Sequence, residues 1–153
     1  DFALLAPAER EDATFDDDAL DVLFDASGGY PYFVQAYGKA AWDAAVRSPI
    51  TAADVKMAAP EAEAELAVGF FGSRYERATP AEREYLRGMA ELTEGRDEPV
   101  NTSNVADHLQ RRASSLSPAR DSLLKKGLVF SAQRGQIAFT VPHFGRYLLA
   151  NGA

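Results

Sequence analysis

The sequence predicts a mainly helical α+β protein: a helical bundle over residues 1–78, then a winged helix-turn-helix with a two-stranded β-hairpin over residues 79–153. Three observations carry that reading. Capped amphipathic helices succeed one another from Phe15 to Lys126. After Gly127 the apolar period shortens from that of a helix to that of a strand, on either side of a Gln133-Arg134-Gly135 turn. The charge also divides: residues 1–78 hold 6 Lys and Arg against 15 Asp and Glu, a balance of −9, while residues 79–153 hold 10 against 8, a balance of +2.

Composition narrows the function classes. With 153 residues, 46% hydrophobic and 25% charged, the chain has the length for one ordinary domain or two small ones. It has no Cys, which excludes disulfides, Cys-ligated zinc and thiol catalysis. No apolar run approaches the roughly 18–20 residues that cross a bilayer, so no membrane partner is expected. The opening Asp1-Phe2-Ala3-Leu4-Leu5 starts in mid-phrase and carries no signal-peptide pattern, which predicts a piece of a larger cytoplasmic protein. A net charge of −7 argues against a general nucleic-acid binder, and the split suggests two modules with different partners.

In the acidic half, Asp16 is placed to cap a helix whose first turn holds Asp17 and Asp18, where the macrodipole favours negative charge. Phe15 and Leu20 have the spacing of a hydrophobic staple, and Leu20, Leu23 and Phe24 form the expected apolar face. Ser27-Gly28-Gly29-Tyr30-Pro31 breaks that helix and starts another reaching about Arg47, with Pro31 in a first-turn position that needs no N–H. The two glycines are read as a plain turn, because the full Walker pattern G-x-x-x-x-G-K-[ST] occurs nowhere. Thr51 caps a further helix, Pro60 is expected to interrupt it, and Glu61 to Arg77 is expected to be one long helix with Leu66, Phe70, Phe71 and Tyr75 inward.

In the basic half, Thr79-Pro80-Ala81-Glu82 is a capping box with Pro at the first helical position, followed by a stripe of Tyr85, Leu86, Met89, Ala90 and Leu92. Asn101 to Asn104 starts a short second helix with Val105, Ala106 and Leu109 inward. Ser117-Pro118 is read as the start of a third, which Gly127 stops. Leu128 and Phe130, then Ile137, Phe139 and Val141, alternate as hairpin strands; Pro142 ends the second, and Phe144 to Leu149 closes the domain. In a winged helix-turn-helix the third helix faces the major groove.

The candidate nucleic-acid contacts are therefore Ser117, Ser122, Lys125 and Lys126 on the third helix, Arg111 and Arg112 just ahead of it, and Arg134 at the hairpin tip. Arg120 falls on the core side of the wheel and is expected to pair with a carboxylate such as Glu84 or Asp107. Asp121 shares the outward face and repels phosphate, and no outward Arg, Asn or Gln stands mid-helix to read bases. Sequence-tolerant binding of double-stranded DNA follows, with a winged helix used for protein contact as the alternative. No catalytic set is visible. His108 and His143 lack a second ligand at metal spacing, and Ser114, Ser115, Ser117 and Ser122 sit in no nucleophile elbow.

These residues also carry a resemblance. Ser27-Gly28-Gly29-Tyr30-Pro31-Tyr32 before a long helix resembles the start of the lid helix in AAA+ ATPases of the archaeal and origin-recognition initiator type. The stretch from Ser115 to Val129, followed by Arg134 to Pro142, is similar to their C-terminal winged helix, and the whole chain resembles the C-terminal portion of bacterial ATP-binding proteins of the AAA family. The resemblance implies a non-catalytic, lid-like bundle and winged helix that lack the P-loop core. ATP and Mg would belong to the parent protein, with that upstream ATPase core as a partner. It also implies that Gly29, Pro31 and Tyr32 lie nearest the nucleotide. One departure stands out: many such lids carry Arg directly after the turn to sense the γ-phosphate, and this chain has Tyr32, with Lys39 the next cation.

Overall fold

The computed structural model describes residues 15–46 and 48–151, so the readings made on Asp1 to Leu5 and on Arg47 lie outside the described residues. The fold is mainly helical with a small antiparallel sheet, an α+β architecture as expected. Backbone contacts divide the chain into two compact units, the first ending at Phe70 and the second beginning at Phe71. Adjacent aromatics explain a division there and not at 78/79: Phe70 packs on Tyr30 and Phe33, whereas Phe71 stacks on Phe144 and Tyr147.

The first unit is built from α1 (Asp17–Ser27), α2 (Pro31–Ala44) and α3 (Ala52–Leu66), with a π-helical turn (Ala67–Phe71) at its end. The Asp16 carboxylate accepts from the Ala19 N–H at 2.7 Å, satisfying one donor that a helix start otherwise leaves open. α1 buries Ala19, Leu23 and Ser27; Leu20 and Phe24 flank that stripe, so the apolar face is turned from the one predicted. α2 packs on α3 through Phe33, Tyr37 and Ala41 against Val55, Ala58 and Ala62, all nearly inaccessible. It stops at Ala44, short of the predicted end near Arg47.

Thr51 and Asp54 form a reciprocal capping box at the head of α3. Pro60 does not interrupt this helix as predicted. The carbonyl four residues back, which a proline cannot serve, belongs to exposed Lys56 and can be hydrated. Nor is Glu61 to Arg77 a single α-helix: the π turn intervenes before α4 (Gly72–Glu76). One extra residue in that turn re-aims the side chains, which lets neighbouring Phe70 and Phe71 serve separate cores.

The second unit centres on α5 (Pro80–Thr93), against which α6 (Thr102–Leu109), α7 (Ala113–Lys125) and α8 (Phe144–Asn151) pack. Its core joins Tyr85, Leu86 and Met89 of α5 to Val105, Leu123, Ile137, Phe144 and Leu148. Burial on this scale, at about 25 cal/mol per Å² of apolar surface, is the main stabilising term. The sheet has three strands and not the predicted two: β1 (Val100–Asn101), β2 (Val129–Phe130) and β3 (Gln136–Phe139), in the order β1-β3-β2. Val100 faces Ile137 and Asn101 faces Gln136, while Val129 faces Phe139 and Phe130 faces Ala138.

Two details of α7 and β2 also differ from the prediction. α7 begins at Ala113, with Arg112 as its N-cap, and holds Pro118 inside. The Ser117 hydroxyl donates to the Ala113 carbonyl at 3.1 Å, and exposed Ser114 supplies the carbonyl that Pro118 leaves without a donor. Along β2 the inward residue is Val129, and Phe130 is 47% exposed. Leu128 is buried before the strand starts, because the turn at Gly127 that ends α7 bends the chain there and resets the alternation.

Candidate nucleic-acid interface

The geometry at the ends of α7 begins with Glu82. Its carboxylate lies buried under the Thr79 capping box, accepting from the Thr79 N–H at 3.1 Å and from Lys126 Nζ at 2.6 Å. Lys126 also donates to the Arg77 carbonyl at 3.0 Å. Burial pushes the Glu82 carboxyl up, but hydrogen bonds from Lys126, Ser122 and the Thr79 backbone outweigh it and hold the pKa below the ordinary value. The start of α5 is thereby tied to the end of α7, where the chain leaves for the hairpin.

This network takes up several of the residues predicted to meet nucleic acid. Lys126 and Ser122 are engaged with Glu82, and Ser117 is turned to the α7 backbone. Arg111 forms an ion pair with Glu84 at 3.1 Å. Three cations are left. Arg112 at the N-cap of α7, Lys125 in its last turn and Arg134 at the hairpin tip are exposed and form no ion pair among the described residues. The exposed residues along α7 are Ala113, Ser114, Ser115, Pro118, Asp121 and Lys125, so a carboxylate shares the outward side with Lys125, the cation of the helix's last turn.

Arg120 is held differently from the prediction. Neither Glu84 nor Asp107 is its partner: Glu84 is taken by Arg111, and the guanidinium lies 3.6 Å from Asp121 and 3.4 Å from the Ser117 hydroxyl. It borders a hollow of about 140 Å³ between α7 and the hairpin, lined also by Thr102, Leu124, Ser131 and Gln136. The hairpin itself turns through Gln133 to Gln136, whose N–H donates to the Gln133 carbonyl at 2.9 Å, with Gly135 at φ 75°.

The residues that the lid resemblance singled out do not fit a nucleotide phosphate. The Gly28, Gly29 and Tyr30 N–H groups donate to the carbonyls of Asp25, Phe24 and Ser27, and so serve the end of α1. Pro31 has no N–H, and Tyr32 is a neutral side chain, 57% exposed, lying against Phe70 at 4.8 Å. The nearest cation along α2, Lys39, is paired with Asp43 at 2.9 Å. His143 is half-buried beside Asp97, and His108 meets Glu91 at 2.8 Å. Among the described residues no helix is long and apolar enough to cross a membrane.

The architecture defines a two-unit α+β chain, a helical unit followed by a unit of helices and a three-stranded sheet. The chain belongs to the DUF8462 family, a domain of unknown function, whose model matches residues 68–148. That span covers nearly the whole second unit. Among solved structures, the chain is similar to the R170A variant of Thermotoga maritima RuvB, with a TM-score of 0.38 and 22% identity over 88% of this chain and 43% of that one. It is also similar to the Thermotoga maritima RuvB Holliday junction branch migration motor, with a TM-score of 0.36 and 22% identity over 86% of this chain and 42% of that one. The chain thus spans less than half the length of either. No curated protein matches it.

Proposed function

We propose that the second unit is a winged helix-turn-helix that engages double-stranded DNA weakly and without sequence preference, and that the chain is the C-terminal, non-catalytic arm of an AAA-family ATPase. The observation that carries the DNA reading is the placement of free cations. In the helix–strand–helix–helix–hairpin order from α5 to β3, Arg112, Lys125 and Arg134 stand at the two ends of α7 and at the hairpin tip. Phosphate contacts from such positions orient a protein on a duplex without reading its sequence. In the same reading, ATP and Mg bind in an upstream P-loop core, of which this chain would be the cytoplasmic output arm. The support for that parent is the residue pattern of the lid and winged helix.

A second reading is a protein-contact module that packs on a partner or on the ATPase core. The neutralised Arg111 and Lys126 and the exposed Asp121 favour it, since each lowers the positive field of α7. Fluorescence anisotropy of the chain on a labelled duplex, at low and moderate salt, separates the two. DNA binding through three phosphate contacts gives a slope of log K against log salt of about −3. An absence of binding at low salt leaves the protein-contact module.

A further inference from the structure

We propose that Phe130 is a base-stacking residue, and that the hairpin selects duplex DNA interrupted by unpaired bases over a continuous duplex. The inference rests on the DNA reading and adds the class of partner to it. Its starting point is a large apolar side chain left about half exposed. Among the described residues of the second unit, the exposed large hydrophobics are Phe130, at 47%, and Leu149, at 40%. Val129, one residue earlier, is 2% exposed, and its pair Phe139 packs edge-on against Phe144, so the sheet spends its other face on the core. Phe130 stands on the opposite face of an edge strand.

Its surroundings complement a nucleic acid. Arg134 follows at the tip of the same hairpin and Lys125 precedes it at the end of α7, both without an ion pair among the described residues. Cations that track a backbone, combined with an aromatic face, make the recognition surface of proteins that hold unpaired bases. The exposed side of α7 offers little base readout in competition. Ala113, Ser114, Ser115 and Pro118 present no bidentate donor, Lys125 stands only in the last turn, and Asp121 repels phosphate. Stacking a phenyl ring into a paired duplex first requires a base step to be unstacked. An unpaired base has no such cost, and the preference for interrupted duplexes follows.

The test uses the whole chain and two labelled DNAs, a continuous duplex and the same duplex with a short run of unpaired thymines at its centre. The interrupted duplex is expected to bind at least about fivefold more tightly, the low end of what one stacked base contributes. Phe130→Leu keeps the apolar bulk and removes the π face. It is expected to bring the two affinities level while leaving the continuous duplex unchanged, whereas Phe130→Trp keeps the preference. Circular dichroism melts establish that each variant is folded. Equal affinities in the unsubstituted chain, or a preference that survives Phe130→Leu, overturn stacking and leave the DNA reading intact. Binding to neither DNA overturns both.

Discussion

Two glycine turns, one in each unit, share a backbone conformation and differ in what stands exposed around them. Gly28 and Gly29 link α1 to α2; Gly135 links β2 to β3. Gly29 and Gly135 both hold positive φ, 72° and 75°, where an L side chain is strained. In the first turn the N–H groups of residues 28 to 30 all return to α1. In the second, the turn hydrogen bond holds the loop while Arg134 at its tip and Phe130 on the strand before it are exposed. Backbone geometry is thus shared, and what is left unpaired is not. The second turn also has an outside anchor, because Lys126, just before the hairpin, is locked to buried Glu82.

The largest effect expected is on that anchor. Glu82→Gln keeps an acceptor for the capping box but removes the charge that Lys126 meets, and should cost about 2 kcal/mol, typical of a hydrogen bond to a charged group. The sign of the pH dependence follows from the lowered pKa. The contribution of Glu82 is fully present above the ordinary carboxyl value of 4.5 and is lost as pH falls through its folded pKa. Thermal melts against pH should show that loss in the unsubstituted chain and a smaller one in Glu82→Gln. A variant as stable as the parent at neutral pH would show that the hairpin is anchored elsewhere.

Next comes charge. Replacing Arg112, Lys125 and Arg134 together by Ala should weaken duplex binding at least about tenfold at low salt and flatten its salt dependence, since counterion release scales with phosphates neutralised. Stability should change by no more than about 0.5 kcal/mol, because these side chains are exposed. Gly29→Ala and Gly135→Ala sharpen the comparison further. A Cβ at either meets nothing within 4 Å, so the cost is backbone strain alone, about 1 kcal/mol in each melt. Only the Gly135 variant is expected to alter DNA affinity. The smallest effect belongs to Tyr32→Arg. It supplies the absent cation yet leaves the N–H groups committed, so calorimetry with ATP should register no binding by this chain. Measurable affinity would contradict the closed-turn account.

Local signals were the legible part of the fold. Asp16, Thr51 and Thr79 cap their helices from within three residues, and the sequence shows each. The left-handed turn at Gly127 is equally local. Features defined across long separations were hidden. β1 is two residues long, too short to show alternation, and exists because β3 pairs with it. Lys126 read as an outward cation because its partner lies 44 residues away. Pro60 read as a helix break and Pro118 as a helix start because propensity is blind to whether the orphaned carbonyl faces water. Of the candidate site, Arg112, Lys125 and Arg134 keep the freedom the sequence suggested. Leu128 and Phe130 read as alternating strand residues, and the turn at Gly127 leaves Leu128 buried and Phe130 half exposed.

The most direct test of the contrast between the two turns is a backbone amide NMR titration of the chain with a short duplex at low salt. The account predicts perturbed resonances at Arg112, Lys125 and residues 130–136, with residues 28–32 unmoved. Perturbations gathered at residues 28–32, or an unchanged spectrum at saturating DNA, would contradict it.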